Sequence, residues 1–289
     1  MDIVNSPKKF PSKLILFGEY VATMGAPVLA IPCQKFYGEW EQGASDNTQP
    51  LAAVIDMLKS LALDDLIDIF RFESDVLNGL SFRSSIPIGY GLGSSGALTA
   101  AIFHTYGKTR DTDADELKRT LARIESIFHG KSSGIDPLVS YLHLPIYVND
   151  QGRVQALTQP IDTTGIYLLD SMKSRSTATY VEIFQKKLSN PTFASEIKKF
   201  ATLTSEAIDA CKKGKLEKEM IAKISTFQFE FFREMIPESL TEIWKHGLDS
   251  GAFYLKLCGA GGGGVFLMWL FDKAYFKKHF AEQKLLSLD

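Results

Sequence analysis

Cysteine is scarce in this chain and unpatterned: Cys33, Cys211 and Cys258 are the only three in 289 residues, and none forms a C-x-x-C pair. An odd, scattered set excludes a disulfide framework and a cysteine-built zinc site, and fits reduced thiols in a cytosol. Net charge is almost lacking as well, with 32 Lys and Arg against 34 Asp and Glu. The sequence therefore offers no field for nucleic acid or any other polyanion. No apolar run reaches the length of a membrane span, and the N-terminal residues lack the apolar core of a leader. Repeats and low-complexity linkers are missing too. What remains reads as a soluble, cytoplasmic chain whose 45% hydrophobic content can bury a large core in one or two domains.

Glycine, by contrast, is concentrated. In Ser85-Ile-Pro-Ile-Gly-Tyr-Gly-Leu-Gly-Ser-Ser-Gly-Ala97, the residues Gly89, Gly91 and Gly93 alternate, Ser94 and Ser95 follow, and Ala97 to Tyr106 reads as a helix. Glycine lets a ligand approach bare backbone. Ser94 or Ser95 is placed to cap the helix, whose free N–H groups and dipole suit a phosphate. No Lys follows in Walker A register. Gly91, Gly93 and Gly96 fit G-x-G-x-x-G, but the acidic residue and βαβ context of a dinucleotide site are absent. A tight turn into a helix accounts for the loop equally well.

Around it, Leu14 to Phe17 and Val28 to Pro32 read as strands, with Lys13 and Glu19 as charged strand ends. Glu41 to Gln49 reads as a polar loop and Leu51 to Leu61 as an amphipathic helix. Phe70 to Ser74 and Leu80 to Ser84 alternate in hydropathy about Asn78-Gly79, which predicts a hairpin. The acidic Asp111 to Asp115 opens a helix from about Ala114 to Phe128 that stops at Gly130. Glu125 sits in its last turn, where the helix dipole disfavours a carboxylate; a surface position or a metal partner are the alternatives. Asp136, before Pro137, reads as a general base or as a helix N-cap, and both roles stay open. His129 reads as a loop or C-cap residue. Tyr147 to Ala156 predicts a hairpin about Gly152, and Gly165 to Asp170 a buried strand. The turn carrying Arg175 opens a helix to about Phe184, where Arg175 is either an anion clamp or a solvated cap. Helices follow over Glu196 to Cys211, Glu217 to Met235 and Leu240 to Leu248, the stripe Phe227, Phe229, Phe231, Phe232 being core. Last come two strands, Ala252 to Cys258 and Val265 to Leu270, joined by Gly259-Ala-Gly-Gly-Gly-Gly264. Such a glycine run in a strand pair implies close approach to the backbone.

Three separated stretches, Lys13 to Glu19, Pro87 to Ala97 and Lys256 to Gly264, resemble in order and spacing the three motifs of the GHMP kinases. Glu125 with His129-Gly-Lys-Ser-Ser-Gly-Ile-Asp136, and Lys173-Ser-Arg-Ser-Thr177, are most similar to the mevalonate kinase branch. The resemblance implies an α+β, two-domain GHMP kinase fold with the active site in the cleft. Its N-terminal domain (1–160) would be ribosomal protein S5 domain 2-like and its C-terminal domain (161–289) ferredoxin-like. It implies ATP and Mg²⁺ as cofactors. Gly89, Gly91, Leu92, Gly93, Ser94, Ser95 and Gly96 would wrap the ATP phosphates, with Gly261 and Gly262 in the floor beside them. Ser95 and Glu125 would hold Mg²⁺. Asp136 would take the acceptor proton with Lys13 beside it. Glu19, Tyr20, Arg175, Thr177, Gly259 and Ala260 would meet the acceptor.

The implied activity is phosphorylation of a small hydroxylated acid, foremost mevalonate; another GHMP kinase, such as a phosphomevalonate or sugar kinase, or a silent ligand-binding relative, are the alternatives. No nucleic acid or membrane partner is implied, and a homodimer is compatible. Three departures stand out: Tyr20 where the family often has His, Pro137 where Asn commonly follows the aspartate, and Gly96 in place of alanine. They leave ATP binding intact and the acceptor open.

Overall fold

The computed structural model describes residues 8–43, 51–109, 113–175 and 177–288. Two antiparallel sheets organise it. The first is built from β1 (Phe10–Phe17), β2 (Val28–Gln42), β3 (Leu80–Ser84), β4 (Ile146–Val148) and β5 (Val154–Ala156). Its centre is β2, which pairs with β1 along most of its length, with β4 at its start and with β3 at its end. Register shifts interrupt the β1–β2 ladder at Pro11/Ser12 and Ile15/Phe17, the first of them beside Pro11, which has no N–H to donate.

Against this sheet lie α1 (Leu51–Ser60), α2 (Ile69–Leu77), α3 (Ser94–Tyr106), α4 (Ala114–His129) and α5 (Ile135–Leu142). Every residue of α3 from Gly96 to Phe103 is buried, so this helix, apolar all round, runs through the core. α4 starts as its acidic sequence predicts: the Asp113 carboxylate accepts from Glu116 N–H at 2.9 Å. Asp111 and Thr112 lie outside the described residues.

The second sheet comprises β6 (Ile166–Asp170), β7 (Phe253–Leu257), β8 (Val265–Leu270) and β9 (Leu285–Ser287), in the spatial order β7-β8-β6-β9. It carries α6 (Thr177–Leu188), α7 (Pro191–Lys212), α8 (Lys218–Phe231), α9 (Glu238–Ser250) and the short α10 (Lys273–His279). The phenylalanine stripe packs here as core: Phe227 stacks on Phe200 at 4.3 Å between centroids, and Phe232 is fully buried. The expected boundary at 160/161 falls in the connection between β5 and β6. Among the described residues no helix is long and apolar enough to cross a membrane.

Four expectations fail. Phe70 to Ser74 is helical, not a strand, and Asn78-Gly79 ends α2 instead of turning a hairpin. Asp68 decides this by capping: its carboxylate accepts from Arg71 N–H at 3.1 Å. Alternation would put Phe70 and Phe72 on one face, yet Phe72 is 0% exposed and Phe70 83%. The strand expected to stop at Pro32 runs on to Gln42, so Glu41 and Gln42 pair with Ser81 and Leu80; the rest of that loop, 44–50, lies outside the described residues. Neither Ser94 nor Ser95 caps α3; Gly93 holds the cap position, and the helix begins at Ser94. Asp136 is not an N-cap either. Gly134 takes that position, and Asp136 sits inside the first turn of α5.

Candidate active site

The glycine-rich loop is pinned where β3 feeds α3. Lys13 N–H of β1 donates to the Leu92 carbonyl at 2.9 Å, and the Leu92 side chain is buried beneath the loop. The backbone at Gly91 is left-handed (φ 73°), and a Cβ there would collide with the Arg175 guanidinium, so only glycine fits. Helix geometry leaves the first N–H groups of α3 without intrahelical partners. They open onto a cleft of about 830 Å³ walled by the loop from Pro87 to Ser95, the end of α4 and the start of α5.

Asp136 lines that cleft, and Lys13 meets it from the buried side. The Lys13 Nζ lies 2.9 Å from Asp136 Oδ1; the lysine is buried, while 29% of the aspartate side chain stays exposed. Gly96 sets this geometry. A Cβ on it would lie 2.8 Å from the Asp136 carbonyl carbon and 2.9 Å from the Pro137 nitrogen. The glycine at 96 and the proline at 137, two of the departures from the family pattern, therefore face each other where α3 and α5 touch.

Glu125 lies across the cleft, buried in the last turns of α4. Ser95 Oγ donates to its Oε1 at 3.0 Å, and Ser132 Oγ donates to Oε2 in a very short hydrogen bond. Burial, then the negative charge of Asp136, push its carboxyl up from 4.5 to about 7, against the two hydroxyls and Lys13, which favour the ionised form. Ser95 Oγ also lies 2.9 Å from His129 Nε2. Instead of capping α4, this ring thus bonds a hydroxyl on α3.

The end of the first motif and the third motif do something else. Glu19 and Lys256 form an ion pair, both side chains almost wholly buried, and Lys256 also donates to the Leu257 carbonyl at 2.7 Å. Burial raises the Glu19 carboxyl, and Lys256 opposes the shift. Tyr20, held in left-handed backbone (φ 62°), donates its hydroxyl to the Ala260 carbonyl at 2.5 Å and stacks on Phe184 at 4.7 Å. Arg175 lies between Gly91 and Gly259, donating to the Gly261 carbonyl at 2.9 Å while its Nε is buried without a partner. Gly262 packs on the Tyr180 ring.

Hence, of the residues expected to meet ligands, Gly89, Gly91, Leu92, Gly93, Ser94, Ser95, Glu125, Asp136 and Arg175 line the cleft. Lys13 and Gly96, buried behind it, do not, and neither do Glu19, Tyr20, Gly259, Ala260, Gly261 and Gly262, which are engaged between the two sheets. The Thr177 side chain lies outside the described residues.

A family model for the GHMP kinases N terminal domain matches residues 53–143, the span holding the glycine loop, Glu125 and Asp136. Mevalonate kinase from Thermococcus gammatolerans is 25% identical to this chain, over 88% of it and 86% of that protein. Residues 53–143 are a GHMP kinases N terminal domain. Along most of its length the chain is similar to the mevalonate kinase branch, and it is a small-molecule kinase. The fold agrees: the Methanococcus jannaschii mevalonate kinase structure superposes with a TM-score of 0.65 at 17% identity, covering 97% of this chain and 96% of that one. A Streptococcus pneumoniae phosphomevalonate kinase structure gives 0.65 at 16% identity, with 98% of each covered. This kinase therefore has the α+β, two-domain fold of its family, and fold alone does not choose its acceptor.

Sequence reasoning missed three residues of this kinase. His129 lies four residues after Glu125, hence on the same helix face, and that spacing was the available signal. Lys256 is a lysine inside an apolar strand, which by itself demands a buried partner. Ser132 carried no signal, since a serine in a short polar loop is unremarkable.

Proposed function

We propose that this kinase transfers the γ-phosphoryl group of ATP, with Mg²⁺, to the primary hydroxyl of mevalonate, giving 5-phosphomevalonate. The observation that carries the reading is the Lys13–Asp136 ion pair of 2.9 Å, whose aspartate lines the same cleft as Ser95 and Glu125. Mevalonate is favoured by the names of the relatives that align along most of the chain.

The donor set fits Mg²⁺. Ser95 and Glu125 present hard oxygens, and a cation relieves the repulsion that raises the Glu125 carboxyl. Among the described residues no group of three or more His, Cys, Asp and Glu gathers into a protein cage. That suits an ion which keeps waters and phosphate oxygens as ligands. When bound, Mg·ATP supplies an activated phosphoryl group whose charge is partly neutralised.

The chain's own residues do the rest. The N–H groups opening α3 receive phosphate oxygens, and the bare backbone from Gly91 to Gly93 lets them come close. Asp136 accepts the proton of the acceptor hydroxyl. Lys13 keeps that carboxylate ionised and stabilises the alkoxide that develops as the proton leaves. Arg175, whose Nε lacks a partner, supplies the positive charge for the acceptor's carboxylate. Because phosphoryl transfer needs little covalent help, this positioning and charge account for the catalysis.

The test is coupled ADP release with mevalonate, phosphomevalonate, homoserine and galactose offered in turn. Mevalonate should give the highest kcat/KM. Turnover confined to a sugar overturns the acceptor assignment.

A further inference from the structure

We infer that His129 is a positioning residue whose Nε2 accepts the Ser95 hydrogen bond and so leaves Glu125 Oε1 free for the divalent cation. The inference rests on the reading of Ser95 and Glu125 as cation ligands.

A serine hydroxyl has one proton and two acceptor lone pairs. Ser95 Oγ has two hydrogen-bond partners among the described residues, Glu125 Oε1 at 3.0 Å and His129 Nε2 at 2.9 Å. Its single proton can serve only one of them. Without a cation the carboxylate is the stronger acceptor. Once both oxygens face a cation, a proton aimed at Glu125 lies between two metal ligands and competes with the ion for the same carboxylate oxygen. The proton must then turn away, and His129 Nε2 is where an acceptor stands.

The other oxygen of Glu125 is already fixed. Gly134 N–H donates to Ser132 Oγ at 2.9 Å, occupying one of that hydroxyl's lone pairs, and the hydroxyl proton goes to Glu125 Oε2. Oε1 is therefore the oxygen shared between Ser95 and the ion, and the direction of the Ser95 proton decides whether it is free. His129 is exposed, at the end of α4, where Gly130 leaves the helix in left-handed backbone (φ 70°). Capping does not explain the ring, since its bond crosses to a side chain of another helix. Supporting partners of metal ligands commonly alter metal affinity by roughly 10–100-fold.

The experiment compares wild type, His129→Phe and His129→Gln by electron paramagnetic resonance of free Mn²⁺ in the presence of a non-hydrolysable ATP analogue. Phenylalanine keeps a ring but no acceptor, whereas the glutamine amide oxygen can stand where Nε2 stood. We expect His129→Phe to weaken Mn²⁺ binding about 10-fold or more and His129→Gln to stay within about threefold. Binding of the analogue without cation, and the melting temperature, should be unchanged in both. Wild-type Mn²⁺ affinity in His129→Phe, or equal losses in both variants, overturns the inference alone. Absence of Mn²⁺ binding by wild type overturns the Ser95–Glu125 reading, and the inference with it.

Discussion

Glu19 and Glu125 are both buried glutamates whose carboxyls burial pushes upward, yet they serve opposite ends. Glu19 is matched by Lys256 on a strand of the other sheet, and the lining of the cleft does not include it. Glu125 is held by two hydroxyls, faces Asp136 and opens to the cleft. The contrast separates two regions that the motif pattern alone would merge. Around Glu19, polar groups are spent on one another between the sheets: Tyr20 on Ala260, Lys256 on Glu19. Around Glu125, the second motif and the start of α5 keep charge unbalanced, which is the condition for binding a cation and moving a proton. One region joins the sheets; the other is left for chemistry.

The sharpest break between them is Asp136→Asn. It should lower kcat by roughly 10²–10⁴ with ATP-analogue binding and melting temperature preserved, because Gly134 and not Asp136 caps α5. Steady-state kinetics beside a thermal melt decides it, and a rate near wild type ends the assignment of Asp136 as base. Lys256→Met should do the reverse. Stranding Glu19 in the interior costs about 3–5 kcal/mol, or on the order of 10 °C in melting temperature. Adding Glu19→Gln should return part of the loss; if the double variant melts no higher than the single one, the pair does not bear the stability.

Glu125→Gln tests the unbalanced side through pH. A carboxyl raised from 4.5 to about 7 in the fold binds its proton more tightly folded than unfolded. Its cost to stability is therefore absent below pH 4.5, grows as pH rises and is complete above 7. Without divalent cation at pH 8, Glu125→Gln should be more stable than wild type by up to about 3 kcal/mol. The difference should close as pH falls toward 4.5. Equal melting temperatures at pH 8 would show that Lys13, with the two hydroxyls, already balances the charge. The smallest effect expected is from Gly96→Ala. Its Cβ presses on the Asp136 backbone, costing roughly 1–3 kcal/mol of stability, and displaces the carboxylate enough to lower kcat about 10-fold with KM for ATP little changed. An unaltered kcat would mean that α5 yields without moving Asp136.

Much of the fold was legible because its signals are local. The glycine loop into α3, the Asp113 cap and Gly130 stop of α4, and the turn between β4 and β5 follow from turn and capping chemistry within a few residues. α2 was misread because Phe70 and Phe72 mimic strand alternation, while the deciding group, Asp68, lies just outside the apparent strand. β2 was cut short because Pro32 looks like a terminator, though it faces Lys13 where the ladder tolerates it. The site divides in the same way. Asp136, Glu125 and Ser95 sit in motifs whose residue types announce chemistry. The fate of Glu19 rests on Lys256, 237 positions away, and no local pattern reports that they touch. His129 was within reach through its spacing from Glu125; Ser132 was not.

The placement of β6 has a consequence for how the chain assembles. The first sheet draws all its strands from residues 10 to 156 and has its partners in hand as soon as that length is synthesised. β6 follows directly at Ile166–Asp170, but its neighbours β8 and β9 begin only at Val265 and Leu285. Until they emerge it is an unpaired strand of Ile, Tyr and Leu, and four helices must form before it can be covered. Closing so long a loop is slow and leaves an aggregation-prone edge open meanwhile. Nascent chains arrested between residue 170 and residue 265 are therefore the species most in need of a chaperone, whereas chains arrested near 160 can already hold a finished sheet.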